Sequence, residues 1–361
     1  MPERLLLGPG PSNVSDEVRN ALARPVVGHL DPAFLALLDD VQRQLLQVFR
    51  APEGALALPI SGTGSAGMEA CLVNLLEPGN SLLVAVNGVF GERMAAIGER
   101  CDARVLRVEA EMGEIVPPAR LVAEIEAHVP DVVALVHAET STGVAQPVVE
   151  AARAARARGA LVVLDCVTSL SGMDVRMDDW QIDAAYSGTQ KCLACPPGLA
   201  PLAIGPRAIA RLERRQRPVQ SWYLDLSLIG RYFGARRVYH HTAPISMIFA
   251  LHAALTRVLA EGLEARFARH LSVHQQLVAG LEPLGFQMLV PAQHRLPMLN
   301  TVRPPVEDEA VLRKRLLEEH GIEVGGGLGK LAGRVWRIGL MGENARSEVV
   351  DRLLGALRSL L

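Results

Sequence analysis

Lysine is almost missing from this chain. Only Lys191, Lys314 and Lys330 occur among 361 residues, and every other basic residue is an arginine. Lys314 sits inside RKRLLEEH, where a solvated helix face explains it. Lys191 stands between Gln190 and Cys192 and invites a chemical reason. Arginine does not deprotonate in proteins, whereas a lysine amine is readily tuned to attack an aldehyde.

A large excess of either charge is also absent. The formal net charge is −2, so no bulk basic character points to nucleic acid or an anionic membrane. The scattered arginines, such as Arg153, Arg156 and Arg158, read as solvated helix faces. Long apolar runs are absent: the opening LLL at 5–7 is far short of a signal-peptide core, and 131–138 and 160–164 are strand-length. Cysteines number five, an odd count in apolar surroundings, which predicts reduced thiols, no disulfide framework and a cytoplasmic location.

What is present is a β/α rhythm. Apolar runs at 55–60, 81–86, 103–108, 131–138 and 160–165 alternate with helical patterns, which predicts a mostly parallel sheet covered on both faces. Short strands are expected at 183–188 and 200–204, and helical segments at 244–260 and 263–282. A smaller α+β domain is expected beyond about 260, with strands at 286–291, 299–303 and 335–340, helices near 307–320 and from 345, and a turn at the glycines 325–327 and 329. The resulting division is an arm over 1–15, a large domain over 16–260 and a small one over 261–361.

Three elements carry chemistry. Ser61-Gly62-Thr63-Gly64-Ser65-Ala66-Gly67 follows a strand and opens a helix, offering hydroxyls, close backbone approach and free N–H groups to an anion. It also spells G-x-G-x-x-G, but the next strand ends in Asn87-Gly88 rather than a ribose-binding acid, which lowers a nicotinamide reading. A purely structural turn is the bland alternative. Asp165 closes the most apolar strand, where buried carboxylates need a cationic partner such as a protonated ring nitrogen; a helix cap is its bland reading. Lys191 follows 26 positions later, in Tyr186-Ser187-Gly188-Thr189-Gln190-Lys191.

At these residues the chain resembles the class V aminotransferases of pyridoxal-phosphate (PLP) fold type I, in the alanine–glyoxylate/serine–pyruvate branch. The resemblance is close to full length and rests on several motifs in order. They include LLLGPGPSNV at 5–14, SGTGSAGMEA at 61–70, ETSTGV at 139–144, LDCVTSL at 164–170, SGTQKCLACPPG at 187–198, YHHTAP at 239–244 and RIGLMG at 337–342.

The resemblance implies an α/β fold, a large domain with a mostly parallel central sheet and a smaller α+β C-terminal domain. It implies that Lys191 carries PLP as a Schiff base and Asp165 partners the ring nitrogen. Thr63, Gly64, Ser65 and Gln190 would hold the phosphate, Val167 and Phe90 would cover the ring's two faces, and Thr140 would meet its hydroxyl oxygen. Tyr239 and Thr242 would reach the phosphate of a neighbouring subunit, which implies a homodimer with shared sites. Arg337 would clamp the substrate carboxylate, with Gly10 and Thr140 beside it. No metal is implied.

Bland alternatives stand beside these: an ordinary core aromatic for Phe90, a surface salt bridge for Arg337, a structural turn or a metal site at Tyr239-His240-His241, and simple packing for Cys192 and Cys195. The expected reaction is a ping-pong transfer of the amino group of alanine or serine to a 2-oxo acid, with glyoxylate as acceptor. Rival functions are a nicotinamide oxidoreductase, a catalytically silent binding protein, and a desulfurase, which needs a nucleophilic cysteine in the C-terminal part; every cysteine here lies at or before Cys195.

Overall fold

A computed structural model describes residues 3–234 and 236–361. The chain begins with β1 (Leu5–Leu7), α1 (Asp16–Leu22) and α2 (Pro32–Phe49). It then alternates through β2 (Leu56–Ser61), α3 (Gly64–Leu75), β3 (Ser81–Val86), α4 (Val89–Arg100), β4 (Arg104–Glu109), α5 (Pro118–His128) and β5 (Val132–Val136). A hairpin of β6 (Ala138–Glu139) and β7 (Val144–Ala145) leads to α6 (Val149–Ala157), β8 (Leu161–Asp165), β9 (Ala184–Tyr186) and β10 (Leu199–Ile204). Helices α7 (Pro206–Glu213), α8 (Leu226–Phe233), α9 (Ile245–Glu261) and α10 (Leu263–Leu281) follow. The C-terminal part holds β11 (Gln287–Met288), β12 (Leu299–Arg303), α11 (Glu309–His320), β13 (Ile322–Gly326), β14 (Trp336–Gly339) and α12 (Ser347–Leu360).

The large sheet runs β2-β10-β9-β8-β5-β3-β4. Only β10 is antiparallel to its neighbours, so the sheet is mostly parallel. Its central strands are apolar apart from Ser81 and Asp165 at their ends, because helices cover both faces; β3, β5, β8 and β10 are buried along their whole length. One apolar core surrounds this sheet, and a second lies on the five-stranded sheet β1-β13-β14-β12-β11. Gly262, at φ 85°, makes the break between α9 and α10.

One expectation needs correction. The glycines at 325–327 do not simply form a turn, since Gly325 and Gly326 are the last residues of β13. Their smallness serves contact: a Cβ on Gly325 would lie 2.5 Å from Pro9 Cδ, and one on Gly339 would lie 2.0 Å from the Gly8 carbonyl oxygen. Within the expected arm, Leu5–Leu7 pairs in parallel with Ile322–Val324. These approaches bring Pro9 and Gly10 to the edge of the large sheet. A strand of three residues whose partner lies more than three hundred positions away leaves no local signal.

Candidate active site

The carboxyl ends of β2, β8 and β9 converge on a cavity of about 200 Å³. Thr63, Gly64, Ser65, Phe90, Asp165, Val167, Gln190 and Lys191 all line it, together with Met68 and Arg93. Eight of the expected site residues therefore share one space.

The floor is the start of α3. Thr63 is its N-cap residue yet makes no side-chain capping bond, which leaves first-turn N–H groups without that partner. Gly62 has φ 143°, and a Cβ there would meet Ala66 Cβ at 2.5 Å. Gly64 is needed for a different closeness: a Cβ would lie 2.9 Å from Val167 Cγ2, so the loop presses against the residue after the Asp165 turn. Gln190 Oε1 is buried without a partner.

Asp165 is 2% exposed. Its Oδ1 accepts the Val167 N–H at 2.9 Å, which caps a turn and not a helix, since no helix lies between β8 and β9. Oδ2 accepts the Tyr186 hydroxyl at 2.8 Å, across the register that sets Asp165 beside Tyr186. Burial pushes the carboxyl up to about 7, opposed by these two hydrogen bonds and by Lys191. A carboxylate offers about four acceptor sites, so room is left for a further donor. A cation placed there would favour the ionised form.

Lys191 is buried, and burial first, then the nearby Arg337, brings its amine down to about 8. Its Nζ donates to the Pro9 carbonyl. Gly10 packs directly on it: a Cβ would fall 2.7 Å from Lys191 Cδ and 2.9 Å from Nζ, at a φ of 103°. Ser12 ties this segment down, its N–H donating to Gln190 O at 3.0 Å and its Oγ to Lys191 O at 3.0 Å. From the other side, Arg266 donates to the Cys192 carbonyl at 2.7 Å.

Arg337, on β14, makes no salt bridge with any described residue. Its Nε donates to Gly326 O at 2.7 Å and its Nη1 to Thr140 O at 3.2 Å. The surface ion pair is thus excluded, and a largely buried guanidinium keeps donors in reserve. Thr140 is buried beneath it.

Phe90 is half-buried and begins α4. Two residues the sequence reading passed over hold this end of the helix. Glu139, fully buried, accepts the Phe90 N–H at 3.1 Å, the Ser141 N–H at 3.0 Å and the Ser141 hydroxyl at 2.6 Å; burial raises its carboxyl. Arg93 lies over the Phe90 ring, its guanidinium carbon 5.1 Å from the centroid. Helical spacing is the signal that could have found Arg93, since it stands three residues after Phe90. Tyr186, also missed, is visible only once strand register is known.

Tyr239 and Thr242 do not line the cavity of their own chain. Both are exposed, with their hydroxyls 3.4 Å apart. His240 and His241 form no metal site; among the described residues, no three His, Cys, Asp or Glu side chains cluster to hold a metal. Instead His241 Nε2 bonds Ser61 Oγ at 3.0 Å, and the two Nδ1 atoms lie 2.8 Å apart. All five thiols are buried, and burial pushes Cys192 up to about 12, which leaves no thiol poised as a nucleophile.

The donor set fits PLP. A free helix N-terminus with hydroxyls suits a phosphate, and an amine and a carboxylate face one cavity with Val167 and Phe90 on its walls. Comparison with known proteins agrees, for residues 14–351 match the family model described as aminotransferase class-V. The chain belongs to that family. Class V aminotransferases are PLP enzymes, so this one is a PLP-dependent aminotransferase with the α/β fold expected. It is 37% identical to an alanine–glyoxylate aminotransferase of Drosophila melanogaster, over 99% of this chain and 92% of that one. It is 36% identical to an (S)-ureidoglycine–glyoxylate transaminase of Bacillus subtilis, over 100% of this aminotransferase and 91% of that protein. The crystal structure of an alanine–glyoxylate aminotransferase from Nostoc sp. superposes with a TM-score of 0.96 at 46% identity, covering 100% and 96% of the two chains. Among the described residues, no single helix of this aminotransferase is long and apolar enough to cross a membrane.

Proposed function

We propose that this enzyme moves the amino group of alanine or serine to glyoxylate by a ping-pong mechanism, with PLP held between Asp165 and Lys191. The observation that carries the reading is the convergence of those two side chains on one cavity whose floor is the open end of α3. When bound, PLP supplies an aldehyde that takes up amines and a ring that accepts electrons as a Cα–H bond breaks.

The chain's own residues do the rest. Thr63, Gly64 and Ser65, with Gln190, bind the phosphate through N–H groups, hydroxyls and the amide. Asp165, desolvated and oriented by Tyr186 and Val167, keeps a proton on the ring nitrogen. The Lys191 amine, brought near neutrality by burial, would hold the cofactor's aldehyde, and its Nζ would move the substrate's Cα proton. Val167 and Phe90 would cover the ring, Thr140 would meet its hydroxyl oxygen, and Arg337 would take the substrate carboxylate with its unused N–H donors, with Gly10 and Thr140 beside it. Alanine and serine fit a site this small; the named substrates of the relatives support glyoxylate as acceptor.

Homodimerisation with shared sites is part of the proposal. Trp222 and Tyr239 are 62% and 57% exposed, unusual for aromatics of this size. They belong to a continuous aromatic network: Trp222 stacks on His240 at 4.3 Å, Tyr223 lies 5.1 Å from His241, and His29 lies 5.1 Å from Tyr239. His241 joins that network to Ser61, one step before the phosphate loop. A second copy covering the patch would bring its own Tyr239 and Thr242 to the loop. The two apolar cores support a division near 260 into a large and a small domain, with 1–15 as an arm whose Leu5–Leu7 strand docks on the small domain's sheet, and the free buried thiols suit a cytoplasmic enzyme.

Lys191→Ala tests the reading. The purified variant should lack bound visible absorbance and turnover of alanine with glyoxylate; an unchanged spectrum and rate would refute it.

A further inference from the structure

The phosphate expected at the α3 loop is an anion of nearly two charges, yet none of its expected ligands is a cation. Backbone N–H groups, the hydroxyls of Thr63 and Ser65 and the Gln190 amide are all neutral. Only two cationic side chains line the cavity among the described residues, Lys191 and Arg93. Lys191 is committed to Pro9, Gly10 and the aldehyde end. That leaves Arg93.

Arg93 is held where such a charge is needed. Its Nη1 donates to Ser65 Oγ at 2.8 Å, and its guanidinium lies over the Phe90 ring. A hydroxyl that accepts keeps its own hydrogen for another acceptor, so the Arg93 bond leaves Ser65 able to donate to a phosphate oxygen. Arg93 meets no carboxylate within salt-bridge distance among the described residues. Its neighbour Glu92 is taken by Arg107 at 2.6 Å. The guanidinium therefore keeps its full charge and most of its five N–H donors, on a ring face that steers its plane.

We propose that Arg93 is the cationic ligand of the cofactor's phosphate and joins the phosphate loop to the Phe90 platform. This rests on the cofactor site proposed above. Arg93 sits one helical turn into α4, so a single helix fixes both the ring-covering aromatic and the charge that meets the phosphate. Lysine would preserve the charge but lose the planar stack and the second donor.

Pyridoxal, which lacks the phosphate, makes the test selective. The full chain stripped of cofactor is titrated with PLP and with pyridoxal, for wild type, Arg93→Met and Arg93→Lys, at low and high salt. Arg93→Met should weaken PLP roughly 10- to 100-fold, as expected for loss of a charge-assisted hydrogen bond, and leave pyridoxal unchanged. Arg93→Lys should recover part of the loss, and salt should narrow the gap. Inorganic phosphate should also raise the unfolding temperature of the stripped wild type more than that of Arg93→Met. Equal weakening of both ligands would make Arg93 a buttress of Phe90 and overturn the proposal, as would no change with PLP. A wild type that gains no visible absorbance with PLP would instead overturn the cofactor site itself.

Discussion

Asp165 and Lys191 are buried and have their hydrogen-bond partners within one chain, whereas Tyr239 and Thr242 are exposed and, among the described residues, their hydroxyls pair only with each other. The first pair is displaced from ordinary titration by its surroundings, the carboxyl upward and the amine downward. The difference separates an inner wall that one chain completes from an outer wall that it leaves open. Chemistry belongs to the inner wall, because only there does desolvation shift pKa values toward neutrality. Affinity for the phosphate end depends on both.

The largest effect should come from the inner wall. Asp165→Asn keeps an oxygen for the Val167 N–H but removes the charge that holds a proton on the ring nitrogen. Turnover should fall roughly 10²- to 10³-fold, the range typical for removing one preorganised electrostatic partner. Cofactor should still bind, as visible absorbance will report. Turnover within a few-fold of wild type would make Asp165 a cap for the turn and nothing more.

A smaller effect is expected at the outer wall. Replacing Tyr239 and Thr242 together by alanine should weaken cofactor retention about tenfold, the loss of one or two hydrogen bonds. Sharing between copies is checked by mixing this double variant with Lys191→Ala under conditions that exchange subunits. Each mixed dimer holds one site with both its lysine and its outer wall intact, so cofactor retention at limiting PLP should rise above that of either parent. Equal retention in the mixture and the parents, or a monomer by light scattering, would confine the site to one chain.

The same contrast governs how much could be read from the residues alone. The strands β5 and β8 are unbroken apolar runs, and Asp165 and Lys191 follow strands at the same sheet edge, so the inner wall was legible. Tyr186 was not, because its bond to Asp165 depends on which residues face each other across β8 and β9. Glu139 was hidden for a similar reason: it supports Phe90 from a hairpin 49 positions away. In β13 the glycines imitate a turn, although they are small because Pro9 must pass close by. Motifs report which residues meet a ligand, and they report poorly which residues hold those in place.

The finest test asks how the inner wall sets the Lys191 amine. Burial is the larger cause of its lowered pKa and the Arg337 guanidinium the next. Only the neutral amine attacks an aldehyde, so the rate at which stripped protein gains visible absorbance with PLP should climb with pH and level off above about 8. An unshifted lysine would keep climbing toward its ordinary value near 10.4. Removing a neighbouring cation makes the ammonium form less unfavourable, which raises the pKa. Arg337→Met should therefore move the midpoint to higher pH, while Arg337→Lys leaves it nearer to wild type. Met should also raise KM for alanine, because the carboxylate loses its partner. A midpoint that stays put in Arg337→Met would assign the whole displacement to burial and to the Pro9–Gly10 segment pressed against the side chain.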